Sequence, residues 1–80
     1  MSTYAVVSTI LVDIGIESAA VSDESYLRGD LRLDSTELVE VTLELKRRLG
    51  VAVRFPPRTD LRVRELCALV DDARAGQPIV

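Results

Sequence analysis

Apolar residues recur at helical spacing in three segments of the chain, and the first of these covers residues 3–14. Its apolar residues follow the spacing i, i+1, i+4, i+5, i+8, which places them on one face of a helix. They are Val6, Val7, Ile10, Leu11 and Ile14. Ser2 or Thr3 can cap the start of this helix, and Gly15 suits the position just after its end. Many residues here are β-branched and favour strands, but no clear partner strand follows, so a helix is predicted.

The second segment, residues 35–49, has the clearest amphipathic pattern. Its predicted core face consists of Leu38, Val41, Leu45 and Leu49. Asp34 precedes the segment as an N-cap residue, and Glu37 follows three residues later, so that the two can form a capping box. The basic residues 46–48 occupy the last turn, where the negative end of the helix dipole favours cations, and Gly50 ends the helix.

The third segment predicts a helix over residues 62–73. Its buried face consists of Val63, Leu66, Cys67 and Val70, at the spacing i, i+3, i+4, i+7. We interpret Cys67 as a small buried hydrophobic residue and not as a nucleophile. Pro56 and Pro57 prevent a regular helix just upstream. One short turn is expected at residues 58–61, and residues 75–80 are expected to form a frayed tail.

A long connection, residues 16–34, separates the first two predicted helices. Connections of this length are unusual in small domains, and they are commonly functional or packed on themselves. Residues spaced to anchor it over the helices are Ile16, Val21, Tyr26, Leu27, Leu31 and Leu33. Two interpretations of this connection are kept: a loop that is packed for stability alone, and a functional loop. The chain is predicted to be all-α, a small three-to-four-helix bundle with a long first loop, forming a single domain over residues 1–80.

Composition excludes several classes of function. A chain of 80 residues, 48% apolar and 29% charged, predicts one globular domain whose core is too small for a buried catalytic cleft. A net charge of −3 argues against general nucleic-acid binding. No apolar run has the length of a membrane span, and the first residues lack a signal-peptide pattern. The single cysteine cannot form an internal disulfide, so a reducing cytoplasm is expected.

Ser35 is the main candidate for chemistry, because it follows the N-cap residue and its hydroxyl lies outside the cap hydrogen bonds. The chain contains no histidine and one cysteine, so it can form neither a Ser-His or Cys-His pair nor a zinc site of the usual Cys/His type. It also lacks the glycine-rich phosphate-binding motifs. Any reaction at Ser35 must therefore be carried out by a partner. Ser35 is either an ordinary helix-start residue or an attachment point.

The flanks of the second helix have two interpretations. An acidic stripe lies beside the core face and consists of Glu37, Glu40 and Glu44. On the other flank lie Thr36, Val39 and Leu43, and the two aliphatic residues are on the same side of the helix as Ser35. The acids can form a solvated face while the aliphatic residues widen the core. Alternatively, both groups can form a surface for a partner.

Taken together, these motifs resemble those of the acyl and peptidyl carrier protein family over nearly the whole chain. The family's attachment motif is roughly Leu-Gly-x-Asp-Ser-Leu, followed by Val-Glu-Leu at the fourth to sixth residues after the serine. Residues 31–36 read Leu-Arg-Leu-Asp-Ser-Thr, and residues 39–41 read Val-Glu-Val. Residues 14–16 and 21–31 resemble the family's first loop. Residues 49–51 and 60–66 resemble its exit from the second helix and its last helix.

The resemblance implies a carrier without catalytic or metal-binding residues of its own. It implies 4′-phosphopantetheine attached to Ser35 through a phosphodiester, with Asp34 as part of the attachment site. A phosphopantetheinyl transferase would install the group from coenzyme A with magnesium. Acyl or aminoacyl groups would then ride on it as thioesters, between loading, condensing and tailoring enzymes. Partner docking is assigned to Arg32, Thr36, Glu37, Val39, Glu40 and Leu43. A monomer is expected.

Some residues depart from the family pattern. Arg32 stands where a glycine is usual, Thr36 stands where a leucine is usual, and the second helix ends in bases where fatty-acid carriers often keep acids. Arg54 and the two prolines replace a typically acidic segment. We therefore expect a free-standing carrier of a specialised polyketide-type pathway.

Two alternatives stay open. The first is an aminoacyl or peptidyl carrier of a nonribosomal peptide pathway, although the chain lacks the Gly-Gly common before the motif of peptidyl carriers. The second is a helical docking module that shares the fold and is never modified.

Overall fold

Three α-helices make up most of the regular structure in this computed structural model, which describes residues 2–56 and 58–75. They are α1 (Thr3–Asp13), α2 (Ser35–Leu49) and α3 (Val63–Ala75), and a short 3₁₀-helix, Ser18–Ala20, lies between α1 and α2. Helix α1 packs against both α2 and α3. The described residues form no β-strand beyond one isolated bridge. The predicted all-α fold class is confirmed.

Helix α2 has the predicted bounds because both of its ends are encoded locally. Asp34 accepts a hydrogen bond from the Glu37 N–H at 2.8 Å, and Glu37 accepts one from the Asp34 N–H at 3.1 Å. These reciprocal bonds form the predicted capping box. At the other end Gly50 adopts a left-handed conformation with φ +70°, which stops the helix.

Helix α1 ends at Asp13, one residue before the predicted end. The Ser2 hydroxyl caps its start by accepting a hydrogen bond from the Ala5 N–H at 3.1 Å. At its end, the Gly15 and Ile16 N–H groups bond the carbonyls of Val12 and Leu11, both at 3.0 Å. With Gly15 at φ +113°, this is a Schellman motif.

Helix α3 starts one residue later and ends two residues later than predicted. Arg62 does not join it, because Arg62 forms an antiparallel bridge with Tyr26 and is held extended. Instead, the Arg62 carbonyl accepts a hydrogen bond from the Leu66 N–H at 3.0 Å, while its own N–H donates to the Glu65 carboxylate at 2.8 Å. The short turn predicted at residues 58–61 is present only at Arg58, and residues 59–61 form no helical turn. Residues 57 and 76–80, which include most of the predicted tail, lie outside the described residues.

The core contains the predicted apolar faces and one segment that was not predicted. The buried hydrophobic residues of the helices are Val6, Val7, Ile10, Leu11, Leu38, Val41, Leu45, Val63, Leu66 and Val70. Ile14, Leu49 and Cys67 are partly buried against them. Val51 and Val53 are also buried, and they belong to an extended stretch after α2 in which burial alternates from residue to residue. This alternation could have been used to predict a buried extended segment, because alternate residues of an extended chain point to the same face.

The long connection packs on itself and onto the start of α3. Its predicted anchors Leu27, Leu31 and Leu33 are buried. The buried Ser25 hydroxyl donates to the Ala20 carbonyl at 2.9 Å and accepts from the Ser22 N–H at 3.2 Å. The Leu27 N–H donates to the Leu61 carbonyl at 2.8 Å. These bonds satisfy polar groups that would otherwise be costly to bury.

Two ion pairs and a contact between a guanidinium group and an aromatic ring also hold the long connection to the start of α3. The Arg62 guanidinium lies 4.9 Å from the centre of the Tyr26 ring and 2.9 Å from the Glu24 carboxylate, which Arg64 also contacts at 2.9 Å. The connection is thus tied to α3 by backbone and side chains. None of the helices described is long and apolar enough to cross a membrane.

Candidate functional site

Ser35 is the first residue of α2, and its side chain is exposed. Among residues 2–56 and 58–75 its hydroxyl has no hydrogen-bond partner. The Asp34 side chain bonds the Glu37 N–H, and the Asp34 carbonyl bonds the Leu38 N–H at 2.9 Å. The N–H groups of Ser35 and Thr36 are left without a partner in the same part of the chain. Such a helix start can bind an anionic group next to the serine.

A groove runs beside Ser35 along one side of α2. Its volume is about 350 Å³. Helix α2 contributes Ser35, Leu38, Val39 and Thr42, the extended stretch after α2 contributes Val53, Arg54 and Phe55, and the long connection contributes Arg28. We call this feature the Ser35 groove. Apart from Ser35 and Val39, its lining was not predicted as part of a site, because three separate segments form it.

The Ser35 groove is positively charged at its edge. Arg28 and Arg54 are both exposed, and neither forms an ion pair with any residue that the structure describes. Among the described residues that line the groove, none carries a carboxylate. A phosphodiester on the Ser35 hydroxyl fits these surroundings, because the N–H groups at the start of α2 and the two guanidinium groups are all suited to an anion.

Arg32, which was assigned to partner docking, has an unusual backbone. Its φ is +58°, in the left-handed region, and it is the one non-glycine residue with a positive φ in the described part of the chain. Leu31 and Leu33 on either side are both buried, whereas the Arg32 side chain is exposed. The backbone therefore turns sharply at Arg32 between two core anchors. This explains why a glycine would suit the position.

Replacing Arg32 with glycine is expected to raise the free energy of unfolding by about 0.5–1 kcal/mol. The left-handed conformation costs a side-chain-bearing residue roughly 1–2 kcal/mol, and the greater freedom of glycine in the unfolded chain offsets part of the gain. Urea denaturation measures the change. Arg28→Gly, in the same loop but without a positive φ, is the control and should destabilise. A loss of stability in Arg32→Gly would contradict the assignment of strain.

The acidic stripe on α2 divides into residues with different contacts. Glu37 belongs to the capping box, and Glu44 pairs with Arg47 at 2.8 Å and with Arg48 at 2.9 Å. Arg48 also bonds Asp13 of α1 at 2.6 Å. The basic last turn thus joins α2 to α1 in addition to matching the helix dipole. Glu40 is exposed and has no such contact among the described residues, so it is the member of the stripe best placed for a partner.

The other flank of α2 exposes the predicted aliphatic residues. Val39 is 56% exposed and Leu43 is 55% exposed. The interpretation that they widen the core is therefore wrong. Thr36 is exposed on the same flank. With Val39 and Leu43 it forms an apolar ridge beside Ser35, which we call the α2 ridge.

Cys67 has no site of its own. It is partly buried on α3, and burial raises the pKa of its thiol to about 11, with further contributions from the charges of Asp23 and Asp71. Only a very small fraction is thiolate near neutral pH, so the residue is a poor nucleophile. This agrees with the interpretation of Cys67 as a packing residue.

Alkylation of Cys67 by iodoacetamide at pH 8 is expected to be about 100-fold slower in the folded protein than in urea. The reactive species is the thiolate, and an ordinary cysteine with a pKa near 8.5 forms far more of it at this pH. The mass of the protein over time measures the rate. Equal rates with and without urea would show that the thiol is open and acidic.

Comparison with solved structures gives the class of the fold. The chain is similar to the crystal structure of ColA1a, a type II peptidyl carrier protein in collismycins biosynthesis. The identity is 25%, the TM-score is 0.66, and the match covers 96% of each chain. No protein-family model matches the chain, and no curated protein matches it in sequence.

The fold is that of the small helical carrier proteins, with an exposed serine at the start of the second helix. The motif and the structural likeness along almost the whole chain agree. The structural likeness supports the resemblance of the chain to the acyl and peptidyl carrier protein family and a function as a carrier.

Proposed function

We propose that the chain carries biosynthetic intermediates as thioesters on a 4′-phosphopantetheine arm attached to Ser35. The single observation that supports this most strongly is the exposed Ser35 hydroxyl at the capped start of α2, without a partner among the described residues. When bound, the arm supplies the terminal thiol that forms the thioester. The chain itself presents the hydroxyl, and the N–H groups of Ser35 and Thr36 would stabilise the phosphodiester.

In this proposal the chain leaves the chemistry to its partners. Asp34 is engaged in the cap, and it keeps the start of α2 in a fixed geometry. The sequence contains no histidine that could activate Ser35. A phosphopantetheinyl transferase would therefore supply the base and the magnesium. Loading, condensing and tailoring enzymes would act later on the tethered group, whose local concentration the tether keeps high.

Two kinds of cargo remain candidates. The Leu-x-Leu-Asp-Ser context favours acyl intermediates of a polyketide type. The likeness to a peptidyl carrier protein favours aminoacyl or peptidyl groups. The two kinds of cargo require different loading enzymes, because amino acids are activated as adenylates and acyl units arrive from coenzyme A thioesters.

Intact mass spectrometry tests the proposal. Incubation with a promiscuous phosphopantetheinyl transferase, coenzyme A and magnesium should add the mass of one phosphopantetheine group. The modified protein is then offered to adenylating enzymes with amino acids and ATP, and to acyltransferases with acyl donors. Absence of the first mass gain would favour the unmodified docking module. The second step distinguishes the two kinds of cargo.

The proposed docking surface consists of the α2 ridge together with Glu40. The apolar side chains of the α2 ridge are exposed to solvent and do not pack in the core. Such exposed apolar surface is common where a protein binds other proteins. Arg32 lies three residues before Ser35 in the loop, and Glu37 keeps its main role in the cap. The partner surface should therefore offer an apolar contact close to its active-site entrance.

The double substitution Val39→Ala, Leu43→Ala is expected to lower kcat/KM for modification by the transferase about 5–30-fold, because central apolar contacts typically contribute 1–2 kcal/mol to binding. Val12→Ala is the matched control, since Val12 is an exposed apolar residue on α1, with 42% exposure. Circular dichroism should show unchanged helicity in both variants. An equal effect of the control would exclude the α2 ridge as the docking surface.

A further inference from the structure

We propose that the extended residues 51–55 bind an extended, acidic segment of a partner protein by main-chain pairing. We call the main chain of these residues the open edge. It is separate from the α2 ridge, and it uses groups of the chain that attachment of an arm to Ser35 does not require. The proposal depends on the unpaired main chain of the open edge, on its orientation and on the charges beside it.

The main chain of residues 51–55 forms no hydrogen bond within the part of the chain that the structure describes. None of its N–H groups donates there, and none of its carbonyls accepts. The long connection is different, because every N–H group from Ser25 to Leu31 donates a hydrogen bond. An extended segment with unpaired N–H and carbonyl groups can pair with another strand, as the edge of a sheet does.

The open edge faces the Ser35 groove. Val53, Arg54 and Phe55 all line this groove, although neighbouring side chains of an extended chain point to opposite faces. Three consecutive residues in one lining place the main chain itself toward the groove. The α2 part of the lining runs from Ser35 to Thr42, which is about 10 Å at 1.5 Å per residue. Three residues of a strand have about this length, so a short extended segment matches the groove.

The side chains of this segment hold it in an extended conformation. Val51 and Val53 are buried, at 1% and 9% exposure, whereas Ala52 and Arg54 are exposed. The proline at position 56 also favours an extended backbone in the residue before it. The open edge is therefore ordered before a partner binds, which lowers the entropy cost of pairing.

The charges beside the open edge favour an acidic partner segment. Arg28 and Arg54 are exposed and form no ion pair with any described residue, and none of the described lining residues is acidic. A carboxylate opposite Arg54 on a paired strand would form a favourable cross-strand pair. Leu38 and Phe55 offer apolar contacts to the residues between the acids. The same arginines disfavour a second copy of this chain, because pairing two open edges would bring like charges together.

Two matched peptides test the proposal on the unmodified protein. Both have six residues and capped ends; one alternates glutamate with valine, and the other has lysine in place of glutamate. In NMR titrations the acidic peptide should shift the amide signals of residues 51–55 and bind about fivefold more tightly than the basic one. With the acidic peptide bound, hydrogen exchange of alternate amides in residues 51–55 should slow, because alternate N–H groups of a strand face the same edge.

N-methylated forms of the acidic peptide distinguish main-chain pairing from charge attraction. Methyl groups on one set of alternate amides block the edge that pairs, whereas methyl groups on the other set point away from the protein. One form should lose affinity by about fivefold, as expected for the loss of an ordinary hydrogen bond. The other form should bind almost as well as the unmethylated peptide.

Charge variants complete the test. Arg54→Gln should weaken binding of the acidic peptide and reduce its advantage over the basic peptide. Arg74→Gln, a matched change of an exposed arginine that does not line the groove, should leave both affinities unchanged. Neither variant removes an ion pair of the described residues, and melting curves verify that both fold.

Several results would overturn the proposal. Equal affinity for the acidic and basic peptides, or no shift with either, would exclude an acidic segment. Equal binding of the two N-methylated forms would exclude main-chain pairing. Shifts confined to the α2 ridge would assign the peptide to that surface. Shifts of residues 51–55 that grow with protein concentration in the absence of peptide would assign the open edge to a second copy of the chain. The mass gain at Ser35 is measured separately, so the carrier proposal stands or fails independently of these results.

Discussion

Ser35→Ala is expected to abolish the mass gain produced by a phosphopantetheinyl transferase, while the melting temperature stays nearly unchanged. The phosphodiester has to be formed on the hydroxyl oxygen, and alanine has none. The substitution removes no hydrogen bond found among the described residues. Alanine is also a good helix former at an exposed position, so the free energy of unfolding should change by no more than about 0.5 kcal/mol.

A matched serine substitution makes this test specific. Ser18 is exposed at the start of the 3₁₀-helix and lies outside the lining of the Ser35 groove. Ser18→Ala should therefore be modified as rapidly as the unchanged protein. Modification that persists in Ser35→Ala would place the attachment elsewhere. A Ser35→Ala protein with lost helicity would show instead that Ser35 has a structural role.

Local sequence was enough to predict α2 and the placement of Ser35. The capping box involves residues that are three apart, and Gly50 follows the last helical residue directly. Such signals are read within one or two turns, and they do not depend on the rest of the fold. The same reasoning placed Val39 and Leu43 off the core face, and their exposure agrees with it.

The surroundings of Ser35 depend on contacts between distant segments, which the sequence pattern does not show. Arg28 and Arg54 come from separate loops and line one groove with α2. The start of α3 was misplaced for a related reason, because a bridge with Tyr26 holds Arg62 outside the helix. In contrast, the alternating burial after α2 could have been predicted from residues 51–55 alone, since the large apolar residues Val51, Val53 and Phe55 occupy every second position there.

Arg32 shows how the resemblance and the structure complement one another. The family pattern marked it as a replacement for glycine and assigned it to docking. The structure adds a left-handed backbone between two buried leucines, which no property of arginine itself would predict. The departure from the pattern therefore has a measurable cost in backbone energy, independent of any role in binding a partner.

Asp60→Asn is expected to lower the free energy of unfolding by about 2 kcal/mol. The Asp60 carboxylate accepts hydrogen bonds from two consecutive backbone N–H groups, those of Arg28 and Gly29, both at 2.9 Å. An asparagine can accept only one of them, and its NH₂ group would face the other donor. Hydrogen bonds to a charged group contribute about 1.5–3 kcal/mol each, and an unsatisfied donor adds a further cost. The melting temperature should fall by roughly 8–16 °C.

The two hydrogen bonds to the Asp60 carboxylate also hold one edge of the Ser35 groove in place. Arg28 lines the groove, and its backbone is fixed to the segment before α3 through Asp60. At Gly29 an added Cβ would lie 3.2 Å from an Asp60 carboxylate oxygen, so the approach is close. Hydrogen exchange of the Arg28 and Gly29 amides should therefore accelerate in Asp60→Asn, together with the loss of stability.

Asp72→Asn is the matched control for this prediction. Asp72 is exposed on α3, and its side chain has no hydrogen bond or ion pair in the part of the chain that the structure describes, so its replacement should change stability by less than about 0.5 kcal/mol. If Asp60→Asn behaves like this control in melting and in amide exchange, the carboxylate does not hold the loop. If only exchange at Arg28 and Gly29 accelerates, the tie is local, and Asp60 positions the edge of the groove without supporting the fold as a whole.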